Sequence, residues 1–223
     1  MRSDRSRLLA EGIGTFCLVF AGTGAVVVDQ VTGGRVTGLG ISLIFGLIVM
    51  AMIYAIGHIS GAHMNPAVTL AFSSTGRHQR SEILPYVAAQ LLGAVAASTA
   101  LKLIFSGQAT NLGVTLPAGG AVQSFVLETI LSFMLMFTIM GVATDDRAEG
   151  TMAGIAIGAV VTLEAAFGGP ISGASMNPAR SFAPALLSGN FAHHWIYWLA
   201  PILGTLLGAQ AYRFVQGKAS PRL

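Results

Sequence analysis

The fold class predicted for this chain is an all-α membrane protein: six transmembrane helices plus two re-entrant half helices, arranged as an inverted internal repeat. Three observations predict it. Only 9% of the 223 residues are Asp, Glu, Lys or Arg against 53% hydrophobic ones, and the mean hydropathy is +0.71. A soluble domain carries about a quarter of its residues as charges, so lipid must cover much of this surface. The second observation is a set of six apolar windows of spanning length, and the third is a nine-residue stretch that occurs twice.

A bilayer core about 30 Å thick takes about 20 apolar residues per helix. Windows of that kind run from about 8 to 28, 39 to 57, 83 to 105, 121 to 143, 151 to 167 and 195 to 215, the fifth being short. The first is too long for a signal-peptide core and contains Glu11, so it reads as a span. The breaks Asp29 to Thr37, Ser73 to Glu82, Ser106 to Gly120 and Thr144 to Gly150 carry Gly, Pro, Asn or charged residues and read as loops. Residues 66 to 74 and 178 to 187 are apolar but half a membrane long. Each opens with Asn-Pro, and proline suits a first helical turn, so both read as half helices.

Arg2, Arg5, Arg7, Arg77, Arg80, Arg147, Arg213, Lys218 and Arg222 fall on the side of the N-terminus, leaving Arg35, Lys102 and Arg180 elsewhere. Both termini are therefore expected in the cytoplasm. The net charge of +3 forms no single patch, so no nucleic-acid partner is expected. One cysteine, Cys17, excludes a disulfide framework and a cysteine metal cluster. No nucleophile, base and orienting group recur at catalytic spacing, so no enzyme, catalytic residue, metal or cofactor is expected.

The repeat pairs Ile59-Ser-Gly-Ala-His-Met-Asn-Pro-Ala67 with Ile171-Ser-Gly-Ala-Ser-Met-Asn-Pro-Ala179, identical at eight of nine positions. Glu11 and Glu128 occupy matching places near the starts of the first and fourth spans. One domain of 223 residues thus contains two halves, 8–105 and 121–216. Three spans per half is odd, so the second half is inverted and its half helix enters from the opposite face. Irregular backbone at membrane depth needs protein or water around it, which implies a polar path. Two half-helix N-termini meeting there would repel cations, while Asn65 and Asn177 offer amide donors and the preceding loops offer carbonyls.

Paired Asn-Pro-Ala boxes on inverted half helices, Ser-Gly-Ala before each box, Arg180 after the second, and the two glutamates together resemble the aquaporin family, the major intrinsic proteins. The resemblance covers essentially the whole chain. Gly141-Val-Ala-Thr-Asp-Asp-Arg-Ala148 is similar to the nodulin-like branch found in plants. The resemblance implies a homotetramer, a passive pore for water and small neutral solutes, box residues Asn65, Pro66, Ala67, Asn177, Pro178 and Ala179, and loop support by Glu11 and Glu128.

It also implies a constriction at Phe45, Ala165, Ala174 and Arg180. Strict water channels of the family carry histidine where Ala165 stands, so a wider, partly apolar ring is expected here, suited to glycerol, urea or uncharged metalloid acids. Ser181 in place of aspartate, Ala185 and Tyr197-Trp198 match the water-channel pattern instead. Pore size acts directly on the solute, so the ring outweighs those indirect markers.

Glu164 is expected at the outer end of the short fifth span, reaching interfacial water; a pore-mouth acceptor or a partner of Arg180 are the other readings. His58 and His63 are expected as packed loop residues, with a pH response as the other reading. His193-His194 with Trp195, Tyr197 and Trp198 reads as an interfacial belt, and Met64 and Met176 as packing residues. Gly154 with Gly158, and Gly204 with Gly208, are spaced for close helix crossings. A coupled transporter would need a titratable or ion-binding group between the boxes, and an adhesion protein would leave the pore unexplained. The short tails favour a prokaryotic cell (inner) membrane.

Overall fold

The computed structural model describes residues 4–217, apart from 109, 146, 147 and 149. These residues form eight α-helices, in order α1 (Asp4–Val31), α2 (Thr37–Ser60), α3 (Pro66–Ser74), α4 (Ile83–Ile104), α5 (Ala121–Thr144), α6 (Ala153–Ser172), α7 (Pro178–Ser188) and α8 (Ile196–Gln216). Six are long, and α3 and α7 are the half helices. Arg2, Arg147, Lys218 and Arg222 of the charge pattern, and Asp146 and Arg147 of the branch motif, lie outside the described residues.

Five of the long helices are apolar enough to cross a membrane by length and composition. The sixth, α8, has spanning length, but Pro201, Gln210, Arg213 and Gln216 make it more polar, and it packs along α5 with α3 beside it. Helix α6 corrects the expectation of a short fifth span. It runs 20 residues to Ser172, because Gly168, Gly169 and Pro170 continue the helix instead of ending it. A proline costs a helix one backbone bond, and here it falls in the last turn, where the chain is about to leave the helix.

Glycines set how closely the helices cross. Where Gly46 of α2 meets Gly158 of α6, a Cβ on Gly158 would stand 2.7 Å from the Gly46 carbonyl oxygen. On Gly204 of α8 it would stand 2.2 Å from the Thr129 carbonyl oxygen of α5, and on Gly93 of α4 only 2.1 Å from the Gly12 carbonyl oxygen of α1. These approaches are what small residues contribute where both helices and lipid are apolar. The helix pairs α1·α4 and α5·α8 are therefore equivalent, one from each half, and α2·α6 joins the halves.

Candidate functional site: the box junction and its cavity

Helices α2 and α6 end alike. Gly61 and Gly173 both sit at φ 88°, each donating its N–H to the carbonyl four residues back, Gly57 and Gly169. Glycine tolerates this left-handed turn without Cβ strain. The next residues are strained in both halves: Ala62 (φ 48°) and Met64 (φ 49°) in one, Ala174 (φ 40°) and Met176 (φ 53°) in the other. Non-glycine residues hold such angles only where their surroundings over-determine them.

The glutamates do so. Glu11 Oε1 accepts from Ser60 Oγ (2.7 Å) and the His63 N–H (2.9 Å), and its Oε2 from the Met64 N–H (2.7 Å) and Gln90 Nε2 (2.8 Å). Glu128 repeats this in the second half: Oε1 accepts from Ser172 Oγ (2.7 Å) and the Ser175 N–H (2.8 Å), and Oε2 from the Met176 N–H (2.8 Å). Both carboxyls are fully buried. Tyr86 and Tyr197 add matching donors, to the carbonyls of Ser60 (3.0 Å) and Ser172 (2.7 Å). Among the described residues no donor meets the carbonyls of Gly61, Ala62 and His63 or of Gly173, Ala174 and Ser175, and all six residues but Gly173 line one cavity.

The half helices meet tip to tip through their caps. Asn65 and Asn177 are extended, as residues before proline must be, and their Oδ1 atoms accept from the Ala67 N–H (2.9 Å) and the Ala179 N–H (3.0 Å). Each Nδ2 then reaches across the junction, Asn65 to the Met176 carbonyl and Asn177 to the Met64 carbonyl, both at 2.8 Å. One amide hydrogen per asparagine is thereby used between the halves, and the second remains for the path. Pro66 and Pro178 open the helices, and Ala67 and Ala179 are completely buried behind them, with the Ala67 carbonyl accepting from Thr205 Oγ1 (3.1 Å).

The cavity has a volume of about 110 Å³ and two unlike walls. The polar wall is the two boxed loops, both asparagines and Arg180. The apolar wall comes from three stripes spaced by four residues: Phe45, Val49 and Ile53 on α2; Leu135, Ile139 and Ala143 on α5; Ile157, Val161 and Ala165 on α6. Phe45, Ala165, Ala174 and Arg180 all line it. The Phe45 ring lies where any side chain on Gly22 would be, 2.1 Å from a Cβ placed there. Arg180 Cζ stands 5.1 Å from that ring's centroid, and its Nη1 donates to the Gly113 carbonyl (2.7 Å).

That carbonyl lies in the stretch Ser106 to Gly120, which reads as a plain loop in the sequence; its residues Asn111 to Thr115 form one side of the site. Asn111 Oδ1 accepts from the Gly113 N–H (2.9 Å), and Leu112 and Gly113 take φ 55° and 73°, turning the chain toward Arg180. Thr115 Oγ1 donates to Ser181 Oγ (2.8 Å), which contacts Ser175 Oγ (2.5 Å). Asn-x-Gly is a turn signal that could have marked this position.

Glu164 is not where the sequence places it. With α6 continuing to Ser172, its carboxyl is fully buried, with no exposed surface and no hydrogen-bond partner for either oxygen, and no ion pair joins it to Arg180 among the described residues. A carboxyl at the end of a short span would have met water; two further turns of helix remove that option. His63 lines the cavity with Nδ1 3.1 Å from Thr69 Oγ1, packed on Phe72, His78 and Tyr86, whereas His58 is exposed on α2. His194 Nε2 accepts from Trp198 Nε1 (3.0 Å) beside Phe182 and Phe191. Met64 and Met176 are buried, and both line the cavity.

Comparison with known proteins places this geometry. A family model described as Major intrinsic protein matches residues 2–212. A maize (Zea mays) protein called Aquaporin NIP1-1 is 49% identical over 215 residues, covering 96% of this chain and 76% of its own length. Nodulin-26 of soybean (Glycine max) is 47% identical over 215 residues, covering 96% of this chain and 79% of its own. Among solved structures, the aquaglyceroporin from Plasmodium falciparum superposes with a TM-score of 0.83 at 28% identity, covering 94% of this chain and 96% of that one.

Proposed function

The chain belongs to the major intrinsic protein family, and on that footing we propose that it is a passive channel for water and small uncharged hydroxylic solutes, glycerol first, with urea and boric or arsenous acid within its range. The observation that carries this reading is the pair of unlike walls. A polyol presents carbon on one side and hydroxyls on the other, and a path with apolar stripes facing carbonyls, amides and a guanidinium matches both sides at once. Water needs only the polar wall.

Arg180 and the two half-helix N-termini put positive potential at the narrow part, which opposes cations and protons. Phe45, Ala165, Ala174 and Arg180 serve as the selecting ring, and the small side chains of Ala165 and Ala174 set its width. A strict water channel is the second reading; Ser181, held by Ser175 and Thr115, and Tyr197, bonded to Ser172, favour it. A coupled transporter is disfavoured because, among the described residues, the side chains that cross the junction are the neutral Asn65 and Asn177.

The protein works as a homotetramer in the cell (inner) membrane with both termini in the cytoplasm. The ion pair between Arg7 and Glu82 puts the starts of α1 and α4 on one face, in keeping with that orientation. Light scattering of proteoliposomes tests the ring. Ala165→His should keep water permeability within about twofold and depress glycerol permeability at least tenfold, since even one methylene of mismatch in a fitted pocket is worth about 1–3 kcal/mol. Unchanged glycerol permeability would remove Ala165 from the ring.

A further inference from the structure

Among the described residues three glutamates are completely buried, and they are not alike. Glu11 holds four donors and Glu128 three, whereas Glu164 holds none. Buried polar groups without partners are rare in native proteins, and within a membrane the alternatives are a protein partner or water. No other described residue supplies a partner here, which leaves a small molecule as the partner available to the Glu164 carboxyl.

The position says which one. Val161 and Ala165, on α6 to either side of Glu164, both line the cavity, as does Leu135 of α5. One turn further along the same face, Gly168 packs so closely that a Cβ would stand 2.8 Å from Leu131 Cδ1 and 3.4 Å from Ala174 Cβ. Glu164 therefore sits on the side of α6 turned to α5 and the second boxed loop, directly behind the ring. Glu164 itself does not line the cavity and has no accessible surface; next to it on the helix, Ala165 brings only a methyl group to the cavity wall.

We propose that Glu164 is a further specificity-determining residue: its carboxyl, shut behind the cavity wall in this structure, turns past Ala165 to take up a small hydroxylic molecule, a solute hydroxyl or the water travelling with it. The ring then has a concealed polar member behind Ala165. A polyol turning in the ring finds hydrogen-bonding groups on two sides, while its carbon face still slides along Phe45. This inference rests on Ala165 belonging to the ring, as proposed above.

Proteoliposome swelling tests it. Glu164→Leu should lower the ratio of glycerol to water permeability about fivefold, the rate equivalent of one hydrogen bond, and Glu164→Gln should stay within about twofold of wild type. In an Ala165→Val background, where a larger side chain bars the way past residue 165, Glu164→Leu should change nothing further. An unchanged ratio in Glu164→Leu overturns the proposal, and so does an equal drop in both backgrounds, which would mark a purely structural role. The two readings fail separately, because Ala165→His reports on the ring and Glu164→Leu on the carboxyl behind it. Should Glu164→Leu not insert, infrared spectroscopy reads the wild type directly: the carboxyl absorption that Glu164→Gln removes should shift when D₂O or glycerol replaces water in the pore. A D₂O shift complete within seconds of mixing assigns the site to pore water and a shift with glycerol assigns it to the solute, both supporting it; an absorption that ignores glycerol and exchanges only over hours, or not at all, refutes it.

Discussion

The two boxed loops are built by one recipe and differ in what surrounds it. Ser-Gly-Ala, a glutamate accepting from two successive box amides, a tyrosine on the serine carbonyl and a cross-junction asparagine recur in both halves with closely matching distances. Around the first loop lie Gln90, His63, His78 and Arg7, with Glu82. Around the second lie Thr115, Ser175, Ser181 and Arg180. The duplicated part makes a path, and the diverged part makes its two mouths different. One mouth carries titratable rings and an arginine paired with Glu82, and the other carries hydroxyls and an arginine with no carboxylate partner among the described residues.

The largest expected effect comes from removing the shared brace. Glu128→Leu leaves Ser172, Ser175 and Met176 without an acceptor, each buried loss costing about 1–3 kcal/mol, so the variant should fail to accumulate as folded protein in detergent gel filtration. Glu11→Leu should fail likewise. Milder substitutions separate the halves. In Glu11→Gln the new amide can be met by Gln90, whose Oε1 has no partner among the described residues and becomes available when its amide turns over, whereas Glu128 has no such described neighbour. Thermal unfolding should place Glu128→Gln below Glu11→Gln by about 1–2 kcal/mol. Adding Gln90→Leu to Glu11→Gln should erase the difference.

Next in size is the permanent cation. Arg180→Ala removes the donor to Gly113 and the charge over Phe45. Water and glycerol permeability should persist or rise, and the cation barrier should fall, measured as vesicle acidification and sodium leak at least tenfold above wild type. Tight vesicles would deny Arg180 its part in ion exclusion.

The smallest effect belongs to His78 in the loop before α4. Burial lowers its tendency to ionise, partly countered by Glu82, whose Oε2 lies 3.7 Å from Nδ1. A histidine with a folded value below its unfolded one of about 6.5 stabilises above that pH, and the benefit is lost as pH falls and the unfolded chain binds the proton first. Melting temperature should therefore drop between pH 7.5 and 5 by a few degrees more in wild type than in His78→Phe. Parallel curves would assign the acid sensitivity elsewhere.

How much could be read from residues alone obeys the same division. The boxes, the glutamates and the inversion were legible because a duplication displays its constraints twice, and Asn-Pro carries local backbone rules that survive any context. The three stripes of the apolar wall were not, since a membrane helix is apolar all round and spacing by four does not stand out. Glu164 was misplaced because Gly-Gly-Pro signals an end in water, whereas Pro170 sits in the final turn of a longer helix. The Gly113 carbonyl was missed because its role depends on a loop folding back over Arg180. No periodicity records such a contact.

The stopped-flow re-swelling rate of proteoliposomes in glycerol, taken across a wide range of glycerol gradients, bears on the whole account. It should exceed that of empty vesicles at least tenfold, rise linearly with the gradient and ignore proton and sodium gradients. A rate equal to that of empty vesicles, or one that saturates and tracks an ion gradient, would contradict a passive pore lined by these two walls.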